Sequence, residues 1–305
     1  MRSLSDFGRR SGAVTVVITD SGLGGLLVCA DLERRLRETA GDGTVRLVYV
    51  NAWPDAYRGY NDLPDLAARA AVFDRALLAM TAFHPDFVLI ACNTLSVVYE
   101  ATAFRKAPVV PVTGILEEGV DLFHEALAGD PESVLALFGT RTTIGSGEHN
   151  RKLALRGIDP QRIVAEPCHG LAAVIDKNPD SPALPDLVEE CVLRAAPRLP
   201  GGSPLYAGLA CTHYAFVAEA FRTSLGRHTG AKVEILDPGQ RLVEGLMRGI
   251  GRRRTQSGER DVAVEVISKV ELSEAQRRAV ARRLEPVSAG TGLALLEYRR
   301  IPELF

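Results

Sequence analysis

Leu89-Ile-Ala-Cys-Asn-Thr94 and Gly208-Leu-Ala-Cys-Thr-His213 are two apolar runs that each break into an Ala-Cys turn. Their cysteines lie 211 − 92 = 119 residues apart. The same offset carries Asp20 of Val16-Val-Ile-Thr-Asp-Ser21 onto Gly139 of Leu135-Ala-Leu-Phe-Gly-Thr140, another apolar run ending in a small polar turn. A shared offset predicts an internal duplication, with two similar lobes each bringing one thiol to a site between them; the period is too long for a solenoid.

Short β-branched runs alternate with helical patterns along the chain. Strands are expected at 13–19, 45–50, 87–91, 109–112, 134–138, 162–165, 206–210 and 233–236, and helices at 26–39, 66–82, 119–128, 184–196 and 217–225. This alternation predicts an α/β fold built from mostly parallel sheets flanked by helices. Ligands bind beyond the carboxyl ends of such strands, where Asp20-Ser21, Cys92-Asn93-Thr94, Gly139-Thr140 and Cys211-Thr212-His213 are all expected to face one cleft. The expected division is a first lobe over 1–106, a second over 107–215, and a return to the first lobe plus a C-terminal segment over 216–305. Gly251–Arg260 reads as a loop, and no function is legible after it.

The 305 residues are 46% hydrophobic and 24% charged with a formal charge of −2, ordinary values for a globular protein with a sizeable core. Basic residues are dispersed apart from short clusters at 252–254, 277–278 and 282–283, which read as solvated helix faces. No nucleic-acid partner is expected. No apolar run reaches the ~20 residues that span a bilayer, and Met1–Arg10 lacks the apolar middle of a signal peptide, so a cytoplasmic location without a membrane partner is expected. Five cysteines without C-x-x-C spacing disfavour both disulfides and structural zinc. Cys29 and Cys191 lie in helical patterns, where a cysteine acts as a small hydrophobe.

Asp20-Ser-Gly-Leu-Gly-Gly25 reads either as a phosphate-cradling loop, although it fits neither the Rossmann nor the P-loop spacing, or as a tight strand-to-helix turn capped by Ser21 or Asp20. A thiol at a helix start feels the positive end of the helix dipole, which lowers its pKa and makes it available as a base. His213 can tune Cys211, and Asp20 can do the same for Cys92. Thr140 and Thr143 suit a carboxylate, or form a plain ST-turn.

Thr19-Asp-Ser-Gly-Leu-Gly-Gly-Leu26, Ala91-Cys-Asn-Thr94, Gly139-Thr-Arg-Thr-Thr143 and Ala210-Cys-Thr-His-Tyr214 resemble, in order, the motifs of the glutamate racemases of the aspartate/glutamate racemase superfamily. Pro111–Gly119 and Cys168–Asp176 match weaker family segments, so the resemblance covers roughly residues 14 to 245. It implies two α/β lobes, an amino-acid substrate between them, and no cofactor or metal. Cys92 and Cys211 would be the acid/base thiols, Asp20 and His213 their helpers, and Asp176 would stand in for a helper glutamate. Ser21, Asn93, Thr94, Thr140, Thr143 and Thr212 would hold the substrate's carboxylate and ammonium. Two departures concern side-chain recognition. Asp176 is one methylene shorter than glutamate, and the Pro-Tyr-Gly substrate loop is altered to Trp53-Pro-Asp-Ala-Tyr-Arg-Gly-Tyr-Asn61, which makes Tyr57, Arg58 and Gly59 the candidate contacts. Arg58 is either a partner for a substrate anion or a solvated loop residue, and His169 stands where the family has proline.

The reaction so implied is inversion at Cα without pyridoxal phosphate: one thiolate removes the α-proton while the opposite thiol delivers another. The pair then titrates as a coupled site. The alternatives are a racemase for aspartate, an isomerase of a dicarboxylate, a one-cysteine decarboxylase, and a non-catalytic amino-acid-binding protein. Both thiols favour the two-base reading. For such an enzyme a homodimer is the default expectation, and supply of a D-amino acid for cell-wall peptidoglycan is the implied role.

Overall fold

A computed structural model describes residues 13–39, 43–250 and 260–305. The features expected at 1–10 and at 251–259 lie outside these residues. Among the described residues ten strands form two sheets, each parallel throughout. The first sheet contains β1 (Val14–Asp20), β2 (Thr44–Asn51), β3 (Phe87–Ile90), β4 (Val112–Gly114), β9 (Asp261–Ser268) and β10 (Arg299–Arg300). The second contains β5 (Val134–Gly139), β6 (Ile163–Pro167), β7 (Leu205–Ala210) and β8 (Val233–Leu236). The central strands are continuous apolar runs because helices cover both faces; β3 and β5 are buried along their whole length.

The duplication expected from the 119-residue offset is present as topology. The first sheet runs β10-β9-β2-β1-β3-β4 and the second β6-β5-β7-β8, so the order β2-β1-β3-β4 is repeated as β6-β5-β7-β8. Asp20 and Gly139 end the two central strands, and Cys92 and Cys211 follow the strands beside them.

Strand pairing corrects the expected boundaries. β4 lies after residue 106 but pairs with β3, Val88 opposite Val112, so the first lobe extends past the expected junction. β8 lies after residue 216 but pairs with β7, so the second lobe extends through Leu236. Both are short edge strands, and an apolar run of three or four residues carries no mark of the sheet it will join. The helix Pro238–Ile250 leads back toward β9, which pairs with β2 along eight residues. The C-terminal segment thus completes the first sheet. No helix among the described residues is long and apolar enough to cross a membrane.

Candidate active site

The site lies at the carboxyl ends of β1, β3, β5 and β7. Cys92 is the N-cap of the helix Asn93–Tyr99, its Sγ accepting from the Leu95 N–H at 3.4 Å and meeting Ser21 Oγ at 3.2 Å. Cys211 opens the turn Thr212–Val217, and its Sγ lies 3.7 Å from His213 Nδ1. Both thiols line one cavity of about 120 Å³. Asn93 lines it too. This side chain is 1% exposed, and neither its amide nitrogen nor its oxygen has a hydrogen-bond partner, a cost normally met by a ligand or ordered water.

The glycines of the 20–25 loop serve close approach. A Cβ at Gly24 would sit 2.6 Å from the His213 backbone nitrogen and from Thr212 Oγ1, and one at Gly22 would sit 2.7 Å from Asp176 Oδ1. The loop of the first lobe is thereby pressed against the second lobe. One of its N–H groups does meet a carboxylate, but that group is the chain's own: Leu23 N–H donates to Asp176 Oδ1 at 2.7 Å. The expected side-chain cap is absent, since Gly25 is the N-cap of the helix Leu26–Glu38. Further bonds close the cleft, from Thr212 Oγ1 to Asp20 Oδ2 at 2.7 Å and between Thr94 Oγ1 and Thr140 Oγ1 at 2.8 Å.

His213 Nε2 has two neighbours, Asp176 Oδ1 at 2.9 Å and the Gly24 N–H at 3.1 Å. Protonated, it donates to the carboxylate; bare, it accepts from the amide. Burial pushes the imidazole pKa down, but the Asp176 carboxylate and the Cys211 thiol outweigh it and hold His213 well above its ordinary value. Cys92 differs from the expectation of a thiol activated by the helix dipole. Burial, reinforced by the charge of Asp20, pushes its pKa up despite hydrogen bonds from Ser21 and Leu95. A dipole contribution of about 1 kcal/mol at a helix end is smaller than the desolvation of a buried thiolate. Burial likewise raises the Asp20 carboxyl, against the attraction of His213 and the Thr212 hydrogen bond. Cys92 is therefore a thiol at neutral pH.

Among the expected residues, Ser21, Gly59, Cys92, Asn93, Thr94, Thr140, Asp176, Cys211 and His213 line the cavity, and so does His169. Five do not. Asp20 and Thr212 bond to each other beneath it, and Ser21 rather than Asp20 touches the Cys92 sulfur. Thr143 is buried behind Thr94 and Thr140, bonded to both. Tyr57 is 94% exposed, and Arg58 turns outward to Asp55 at 3.2 Å. Asp55 accepts the N–H groups of both Tyr57 and Arg58, which folds that tip of the loop away from the cleft. Trp53, Tyr60, Asn61 and Asp62 from the same loop take their place, together with Arg141. Arg141 forms no ion pair among the described residues; in Gly139-Thr-Arg-Thr-Thr143 the threonines alone are expected at the site. No cluster of three His, Cys, Asp or Glu side chains suited to a metal occurs among the described residues, and all five cysteines are free.

Residues 23–246 match the family model described as Asp/Glu/Hydantoin racemase. A glutamate racemase of Jannaschia sp. (strain CCS1) is 34% identical over 231 residues, covering 70% of this chain and 77% of that protein. The crystal structure of glutamate racemase from Campylobacter jejuni superposes with a TM-score of 0.67 at 22% identity, over 89% of this chain and 98% of that one. That of the Francisella tularensis glutamate racemase in complex with D-glutamate gives 0.66 at 15% identity, over 94% and 97%.

Proposed function

Because the chain belongs to the Asp/Glu/hydantoin racemase family and is an isomerase, we propose that it inverts the α-carbon of glutamate by two-base proton transfer between Cys92 and Cys211. The observation that carries this reading is the placement of two thiols at equivalent strand ends, from two lobes of the same topology, on one small cavity. Binding alone needs no thiol, and a decarboxylase needs only one.

In the proposed cycle one sulfur, as thiolate, takes the α-proton and the other, as thiol, returns one to the opposite face; the roles exchange with the handedness of the substrate. The two halves of the site are built differently. Burial makes Cys92 rest as a thiol, and when it acts as the base its sulfur is met by Ser21 and the Leu95 N–H; Cys211 instead faces His213 Nδ1, with His213 Nε2 held against Asp176. Asn93 supplies the unpartnered donor and acceptor for the substrate's carboxylate and ammonium, with the Thr94 and Thr140 hydroxyls beside it. Negative charge grows on that carboxylate as the proton leaves, and fixed donors in a closed cavity stabilise it without reorganising.

Arg141 and His169, both on the cavity wall, suit a second anionic group on the substrate, which favours a dicarboxylic amino acid and, with the curated relatives, glutamate over aspartate. A D-enantiomer made this way would serve cell-wall assembly. The test is proton NMR in D₂O with L- and D-glutamate, then with aspartate. Loss of the Cα–H signal from both glutamate enantiomers is expected. Arg141→Ala should raise KM about tenfold or more, the worth of a charge-assisted hydrogen bond. Exchange with aspartate alone moves the specificity; exchange with no amino acid refutes the reading.

A further inference from the structure

The family match ends at residue 246, yet a side chain from beyond it reaches the site. The helix Glu274–Leu284 opens with Ser273-Glu-Ala-Gln276, which reads as a capping box, a motif in which the glutamine side chain folds back to the N-cap N–H. Ser273 does its part, its Oγ accepting from the Gln276 N–H at 3.2 Å. The Gln276 side chain does not fold back. Its Nε2 donates to Asp176 Oδ2 at 2.8 Å and to the Asp176 carbonyl oxygen at 3.1 Å. Oδ1 of the same carboxylate faces His213, and His213 faces Cys211.

We propose that Gln276 is a positioning residue for the Cys211 half of the site, so that the C-terminal segment is part of the catalytic apparatus; this rests on the two-thiol racemase reading. An aspartate carboxyl turns easily about its last torsion, which is broad and two-fold. With Oδ1 alone anchored, the group could swing off the imidazole. Holding Oδ2 and the carbonyl with one amide fixes the plane of the carboxylate, and a neutral donor does so without cancelling the charge that His213 faces. The helix is itself pinned to the second lobe. Arg283 Nη2 donates to the Phe216 carbonyl at 2.9 Å, and Arg282 and Arg283 both reach Asp180, so these arginines, expected as a solvated face, dock the segment. Among the described residues the Cys92 sulfur has no such link; its hydrogen-bond contacts are Ser21 and the Leu95 N–H.

The asymmetry gives the test. Enantiomers are equal in energy, so kcat/KM must fall equally in both directions and cannot separate the two halves; the isotope effect can. Gln276→Met keeps the bulk without the donor, and Gln276→Glu places an acceptor against the carboxylate. For Gln276→Met the expected result is a fall in kcat of about tenfold with KM within about twofold, the rate equivalent of one hydrogen bond to a charged group. The primary isotope effect with 2-deuterated substrate should rise for one enantiomer only, and Gln276→Glu should lose more than Gln276→Met. A urea midpoint at the wild-type value separates this from a folding defect. If both variants match an active wild type, or if the isotope effects of both enantiomers change alike, the proposal is overturned. A wild type that exchanges no Cα–H would sink the racemase reading and this inference with it.

Discussion

Gly24→Ala should disable the protein while leaving its two lobes folded. The backbone at Gly24 is outside the left-handed region, so the cost of a side chain there is steric rather than conformational. The added Cβ would lie 2.6 Å from the His213 backbone nitrogen, His213 Nδ1 and Thr212 Oγ1, whereas ordinary contact begins at 3.4 Å. The His213 segment must therefore retreat by 3.4 − 2.6 = 0.8 Å. Part of that obstacle is backbone, which cannot rotate away. A misplacement of about 1 Å in a catalytic group costs about a hundredfold in rate, and overpacking a buried contact costs about 1–3 kcal/mol of stability. The expected result is kcat/KM down about a hundredfold in a circular-dichroism assay of enantiomerically pure glutamate, with a cooperative urea transition retained. Gly129→Ala, whose Cβ meets nothing within 4 Å, is the control and should leave activity unchanged. Activity of Gly24→Ala within about threefold of wild type would refute the close-approach account of the loop.

Asp176→Asn removes the carboxylate that holds His213 up, so the pKa governing the His213-dependent limb of the kcat/KM profile should shift to lower pH, with kcat reduced; an unmoved limb would contradict the assignment. His149 is buried against Phe123 with neither ring nitrogen bonded, and burial pushes it from 6.5 down to about 4. Its folded pKa is depressed, so stability is intact above pH 6.5 and is lost as pH falls toward 4, when the unfolded chain binds a proton that the native state refuses. Urea titrations should show His149→Phe losing about 2 kcal/mol less than wild type between pH 7 and pH 4.5, at about 1.4 kcal/mol per unit; parallel losses would contradict this. Tyr57→Ala and Arg58→Ala should leave KM within about twofold, because both side chains face solvent.

The repeated lobe and both thiols were legible in the sequence because each lobe places its cysteine at the same turn after the same kind of buried strand. Edge strands were not assignable: β4 and β8 are too short for their pattern to say which sheet they extend. The motif position of the 53–61 loop favours Tyr57 and Arg58, but Asp55 captures the backbone there, and Trp53, Tyr60, Asn61 and Asp62 line the cavity instead. The glycine loop looked like an anion cradle because sequence cannot show that the approaching group is the other lobe. Gln276 carries no signal of its contact with Asp176 in the sequence, because a glutamine three residues after Ser273 fits an ordinary helix start. The shifts at Cys92 and Asp20 follow from desolvation, which depends on how completely the lobes close over them.

The most direct test of the two-thiol claim uses Cys92→Ala and Cys211→Ala with each enantiomer of a glutamate carrying a leaving group on Cβ. A single base suffices to remove the α-proton and expel that group, after which the enamine tautomerises and hydrolyses to the oxo acid and ammonia. Neither variant should racemise glutamate, and each should release ammonia from one enantiomer, with opposite preferences. Ammonia from the same enantiomer in both variants, or racemisation surviving the loss of either thiol, would contradict the two-thiol claim.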